Sequence, residues 1–171
     1  AEHMFATPLI NAYKNKTGTY GIWIRYHLGH MRYIRSLKSK DYTWCAMDWS
    51  NFDANVPAWL IRDAFGILRD RLDFSRYEFR GVPTDPDTLP RLWAELMRYF
   101  IDTPLRFQNG LVIVKHKGIP SGSAFTNIIG SVVNTIVLNY LLADVNHLPE
   151  TLFVMGDDSL VAIQGDKSVL T

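Results

Sequence analysis

A glycine and two aspartates interrupt an apolar run near the end of this chain, Leu152-Phe-Val-Met-Gly-Asp-Asp-Ser-Leu-Val-Ala-Ile163. The alternation on either side predicts two strands joined by a tight turn at Gly156-Asp157-Asp158. Gly-Asp is a common turn pair, so the stretch alone fits an ordinary surface hairpin equally well. In a buried hairpin, however, adjacent carboxylates repel one another and lose their water. A positive partner, usually a metal ion, must then offset that cost.

The 171 residues make one domain or a piece of a larger one, and an apolar content of 47% supports a core and opposes disorder. A lone cysteine, Cys45, excludes a disulfide framework and a cysteine-built zinc site, and it suits a reducing compartment. The opening residues do not read as a signal peptide, so none is expected, and the sequon Asn15-Lys16-Thr17 has nothing else secretory beside it. The first residue is not Met and the chain stops at Thr171, so an excerpt of a longer protein is expected. Residues 128–145 are apolar enough to raise a membrane question. Ser131, Asn134, Thr135 and Asn139 would need partners in lipid, which favours a buried helix of a soluble fold and no membrane partner.

Net charge is only +1, but its distribution is uneven. Between His3 and Lys40 lie Lys14, Lys16, Arg25, Arg32, Arg35, Lys38 and Lys40, with no Asp or Glu. Tyr13, Tyr20, Trp23, Tyr26 and Tyr33 are interleaved with them. Cations among stackable rings suit a nucleic-acid backbone and its bases, although a solvated face beside a core has the same composition.

Residues 1–40 read as loop-rich, with a helix across 22–37. Residues 43–47 form a short strand ending at Asp48. Pro57 opens a helix reaching about residue 70, and Pro90 opens another to about residue 101. Residues 105–117 read as a hairpin turning at Asn109-Gly110. A Gly/Pro/Ser loop at 118–122 leads into a long helix over 123–146. The aspartate hairpin follows, and then a turn at Gly165-Asp166-Lys167. This order gives an α+β fold, a small antiparallel sheet with helices packed on one face.

Asp48 ends its strand and Asp53 follows five residues later. If the two aspartate-bearing strands are neighbours, Asp48 and Asp157 sit side by side and form an all-oxygen site suited to Mg²⁺ or Mn²⁺. Two ions about 3.5–4 Å apart can activate an attacking hydroxyl and stabilise a departing pyrophosphate. Asp48 alone would fit an ordinary helix cap or turn. The loop 118–126 brings small residues to a helix N-terminus, where backbone N–H groups can meet phosphate or a sugar hydroxyl; a plain connector reads the same way. Along the helix, Ser123, Asn127, Ser131 and Asn134 make a polar stripe at helical spacing. The stripe predicts a cleft-facing surface from which Asn134 reaches a ribose hydroxyl together with Asp53. Satisfied core amides are the alternative.

Together these segments resemble the palm region of viral RNA-dependent RNA polymerases. Asp48-Trp-Ser-Asn-Phe-Asp53 is similar to that family's motif A, Gly118-Ile-Pro-Ser-Gly-Ser-Ala-Phe-Thr126 with Ser131 and Asn134 to motif B, and Met155-Gly-Asp-Asp158 to motif C. Pro8-Leu-Ile-Asn-Ala-Tyr-Lys14 and Tyr20-Gly21 resemble the region before motif A in double-stranded RNA viruses of the partitivirus group. The resemblance implies a fingers-side basic segment over 1–42, with part of the fingers, and a palm over 43–171. It implies two Mg²⁺ (or Mn²⁺) ions held by Asp48, Asp157, Asp158 and the Trp49 backbone carbonyl, with Asp48, Asp157 and Asp158 catalytic. A nucleotide pocket of Asp53, Ser121, Gly122, Thr126 and Asn134 is implied as well. Lys14, Lys16, Arg25, Arg32 and Arg35 are the expected RNA contacts. Expected partners are template and product RNA, ribonucleoside triphosphates, the missing fingers and thumb, and capsid protein. The expected location is the virion interior or the host cytoplasm. Exposed apolar surface is expected where fingers and thumb would pack.

The implied activity is RNA-directed RNA synthesis. A reverse transcriptase shares the double aspartate but would place a bulky residue at position 53. A catalytically dead, RNA-binding palm would not need three intact aspartates. A serine hydrolase centred on Ser121 lacks the Gly-x-Ser-x-Gly context, and nothing in the sequence singles out His116 or His147 as its base.

Overall fold

The computed structural model describes residues 1–37, 42–145 and 149–164. Lys38, Lys40, the expected turn at 165–167, and Asn146 and His147 lie outside the described residues. Three strands form the central sheet in the order β1–β5–β4, all antiparallel. They are β1 (Tyr42–Met47), β4 (Thr151–Met155) and β5 (Asp158–Gln164). Met47 pairs with Ser159, and Met155 pairs with Asp158. The register therefore carries both aspartate-bearing segments to the same end of the sheet. The N-terminal chain adds to the β4 edge: Tyr20 bridges Val154 in parallel, and the Val154 N–H donates to the Thr19 carbonyl at 2.8 Å.

Strand alternation divides the sheet's side chains between two cores. Leu152, Val154, Val161 and Ile163 meet Leu138 and Leu142 of α6 (Thr126–Asp144) on one face. Phe153 lies on the other face, packed with Trp23 and Ile34. Helices do cover one face as expected, and the segment over 21–37 closes the second. A larger core joins α1 (Glu2–Lys14), α4 (Ala58–Arg69), α5 (Thr88–Ile101) and α6 around Phe65, Trp93 and Phe125, whose rings meet edge-on or tilted.

Two expectations for the N-terminal region are corrected. Residues 2–14 are helical despite Pro8, because Phe5, Ala6 and Leu9 form a buried face whose packing outweighs the one backbone bond that proline removes. The helix expected over 22–37 is instead two 3-10 turns, 21–23 and 26–28, followed by the shorter α2 (His30–Ser36). Gly29, at φ 76°, breaks the run. The helices opened by Pro57 and near Pro90 fall close to their expected bounds. The Asn109-Gly110 hairpin forms as β2 (Pro104–Arg106) and β3 (Val112–Val114). Both of its strands are exposed, including Leu105, Val112, Ile113 and Val114. The long apolar helix, α6, packs against α4 and β4.

Candidate active site

The hairpin tip is a two-residue turn. Gly156 sits at φ 68°, and among non-glycine described residues only Asn51 has positive φ. Gly156 followed by Asp157 thus has the sign pattern of a type II′ turn, which matches the right-handed twist of the flanking strands. The hairpin strands are buried, but Asp157 and Asp158 themselves are exposed. The expectation of buried carboxylates is corrected: Asp157 lies in the turn and Asp158 opens β5, so both sit at the solvent-exposed end of the packed strands.

α6 grips this turn through its backbone. The Ser131 hydroxyl accepts the Gly156 N–H at 2.7 Å and donates to the Asn127 carbonyl at 2.8 Å. The Asn134 amide nitrogen donates to the Gly156 carbonyl at 3.0 Å and to the Asp157 carbonyl at 2.8 Å. Its oxygen accepts the Trp49 indole N–H at 2.8 Å. Ser131 and Asn134 are buried. The cleft-facing stripe is therefore corrected at these two positions: buried polar groups must be bonded, and these are bonded to the turn. Both amide hydrogens of Asn134 are taken by the turn, and its oxygen is bonded to Trp49. Asn127, on the same stripe, is exposed, and its oxygen accepts the Tyr20 hydroxyl at 2.6 Å. Burial, and secondarily the nearby Tyr13, pushes the Tyr20 phenol well above its ordinary range. The Tyr20 contact crosses 107 residues of sequence, and no local pattern signals it.

The segment 48–56 joins the same assembly. Asp48 follows the last residue of β1, and continuing the register places it across from Asp158. Asn51, left-handed at φ 53°, turns the chain into the short α3 (Phe52–Asn55), which carries Asp53 in its first turn. Burial first, and the charge of Asp157 second, raise the Asp53 carboxyl above its ordinary value. Asp53 and Asp157 therefore share one electrostatic environment. Asp48 and Asp53 are both exposed.

The loop 118–126 is bonded to α3. Gly118 N–H donates to the Val56 carbonyl, and Ile119 N–H donates to the Asp53 carbonyl, each at 2.7 Å. Gly118 has φ +82°, and a Cβ there would lie 2.6 Å from the Asp53 carbonyl oxygen. Lys115 Nζ donates to the Gly118 carbonyl at 2.6 Å and to the Phe100 carbonyl at 2.8 Å, and burial lowers its pKa. Thr126 Oγ1 donates to the Pro120 carbonyl at 2.6 Å. Ser121 and Gly122, at the apex, are exposed.

The donors suit a hard divalent cation: Asp48, Asp157 and Asp158 present only oxygen, at neighbouring positions on one sheet end. Among the described residues, no three His, Cys, Asp or Glu side chains are gathered closely enough to hold an ion as they stand. Of the basic candidates, Lys14, Lys16, Arg32 and Arg35 are exposed and Arg25 is half-buried. The interleaved aromatics divide. Tyr26 and Tyr33 are exposed, whereas Trp23 is buried and Tyr13 packs edge-on against Tyr20.

The sequence model of viral RNA-dependent RNA polymerases matches residues 1–170. The RNA-directed RNA polymerase of Cryptosporidium parvum virus 1, a double-stranded RNA virus, is 40% identical over 134 residues, covering 74% of this chain and 23% of that protein. The genome polyprotein of Ornithogalum mosaic virus is 28% identical over 149 residues, covering 84% of this chain and 12% of that protein. In fold, the crystal structure of the RNA-dependent RNA polymerase of a human picobirnavirus aligns with a TM-score of 0.73 at 19% identity, covering 99% of this chain and 31% of that one. The chain thus spans less than a third of the length of these relatives. With its three aspartate- and glycine-bearing segments bonded into one assembly and its sequence matched almost end to end, the chain belongs to the viral RNA-dependent RNA polymerase family.

Proposed function

We propose that the protein carrying this chain is an RNA-directed RNA polymerase, and that the chain supplies its catalytic centre for viral RNA replication and transcription. The observation that carries this reading is the bonding of Asp48-to-Val56, the 118–126 loop and the Gly156-Asp157 turn into one unit through α6.

Asp48, Asp157, Asp158 and the Trp49 carbonyl would hold divalent ions, Mg²⁺ or Mn²⁺. Such ions, when bound, supply Lewis-acid stabilisation of the attacking and leaving oxygens in phosphoryl transfer. The rest is positioning by the chain itself. Asp157 is oriented by the grip of α6 on its turn. Asp53 accepts from the ribose 2′-hydroxyl, and its small carboxylate leaves room for that hydroxyl where a bulky side chain would exclude it. Ser121 and Gly122 lie against the nucleotide, and Thr126 closes their loop. Asn134 acts through the turn and not by touching the sugar. Lys14, Lys16, Arg25, Arg32 and Arg35 meet RNA phosphates. Template and product RNA, ribonucleoside triphosphates and the remainder of the polymerase are the partners.

The test is nucleotide incorporation by the full-length protein on an RNA template, with rNTPs and dNTPs compared. Incorporation of rNTPs supports the reading. Preference for dNTPs would convert it to reverse transcription.

A further inference from the structure

We infer that Glu2, at the start of α1, is a positioning residue for the nucleotide-facing apex Ser121-Gly122. Its carboxylate reaches across the fold to the entry of α6. One oxygen accepts the Ser123 hydroxyl at 2.8 Å, and the other accepts the Ala124 N–H at 2.8 Å. Ser123 Oγ in turn accepts the Phe125 N–H at 3.1 Å. The first N–H groups of a helix have no intrahelical partner and favour negative charge. Helices usually satisfy them with their own capping residue. Here the N-cap position is Phe125, which has no capping side chain, and the carboxylate of Glu2, more than a hundred residues away in sequence, instead fixes the two residues that lead into it, Ser123 and Ala124.

The placement matters because of what lies between the anchors. Upstream of the apex, Gly118 and Ile119 are bonded to α3, and Lys115 holds the Gly118 carbonyl. Downstream, Glu2 holds Ser123 and Ala124. Thr126 Oγ1 also holds the Pro120 carbonyl, which leaves Ser121 and Gly122 between these anchors, both exposed, with Gly122 at φ +88°. α1 is itself fixed by buried Phe5, Ala6 and Leu9, so Glu2 transmits the position of a rigid helix to the loop. This inference rests on the polymerase reading only where it concerns the nucleotide; the anchoring is testable without it.

The experiment uses the full-length polymerase with Glu2→Gln, Glu2→Ala, Ser123→Ala and the double variant Glu2→Gln/Ser123→Ala. Glutamine keeps the size of the side chain but cannot accept at both ends. Glu2→Gln should raise the KM for rNTPs about five- to tenfold while kcat stays within about twofold, as expected for one lost charge-assisted bond that positions a binding loop. Amide exchange over 121–124 should quicken, with the body of α6 unchanged. Glu2→Ala should act in the same direction and more strongly. In the double variant the effects should not add, because both substitutions break one network. Wild-type KM and wild-type exchange in Glu2→Gln would overturn the inference. So would parallel losses of kcat, rNTP affinity and thermal stability, which mark a purely structural role. A wild-type protein that incorporates no rNTPs would fail the polymerase reading instead, and the exchange data would still judge the anchor.

Discussion

The Trp49 indole N–H donates to the Asn134 side-chain oxygen at 2.8 Å, across 85 residues of sequence. Asn134 spends its other end on the Gly156 and Asp157 carbonyls. One buried amide therefore couples the residue after Asp48 to the turn that carries Asp157.

Asn134→Ala leaves three part-buried polar groups, the Trp49 indole N–H and the Gly156 and Asp157 carbonyls, without their partner. The expected cost is roughly 2–4 kcal/mol of stability, with RNA synthesis falling further than stability alone accounts for because the turn is released. Thermal unfolding and rNTP incorporation, measured on the same full-length preparation, check this. A stable variant with normal synthesis would show that the amide does not set the site.

Gly118 is held at positive φ with the Asp53 carbonyl where a side chain would go. Gly118→Ala should cost at least about 2 kcal/mol and displace α3, since neither the backbone conformation nor the contact can be kept. The variant should lose synthesis at temperatures where it remains folded.

Lys115→Met keeps most of the length of the side chain but strips a donor from the Phe100 and Gly118 carbonyls. A loss of about 1–2 kcal/mol is expected, together with faster amide exchange in the 118–122 loop. Unchanged exchange there would remove Lys115 from the loop's support.

The raised Asp53 carboxyl sets the sign of a pH effect. The folded chain retains this proton at a pH where the unfolded chain has lost it, so ionising Asp53 opposes folding. Its contribution is most favourable below the ordinary aspartate pKa. It declines as pH rises through that value to the raised one. Asp53→Asn should remove the decline. In metal-free buffer, the Tm difference between variant and wild type should be small in acid and should favour the variant at neutral pH. A variant no more stable at neutral pH would contradict this.

Local chemistry made much of the fold legible. Pro57 and Pro90, the Asn109-Gly110 pair and the alternation around Gly156 each act within a few residues, so helix starts and hairpins could be read directly. The N-terminal helix could not, because Pro8 reads as a break and the buried face that overrides it exists only once α1 is packed. The polar stripe of α6 was visible, but its use was not. Spacing alone cannot distinguish Asn134 facing a ribose from Asn134 bonded to a turn 22 residues later. Tyr20 and Glu2 act across more than a hundred residues, which no local pattern encodes. The carboxylates were legible as a set, but their exposure was not, because it depends on where the packed strands meet solvent.

The proposal that Asp157 serves RNA synthesis and not the fold has a direct test. Full-length wild type is compared with Asp157→Asn on an RNA template with Mg²⁺ or Mn²⁺ and rNTPs, with RNA binding and thermal unfolding measured alongside. The exposed side chain should accept the change with RNA binding and Tm preserved, while rNTP incorporation falls by at least about a thousandfold. Incorporation near the wild-type rate by the folded, RNA-binding variant would contradict the proposal.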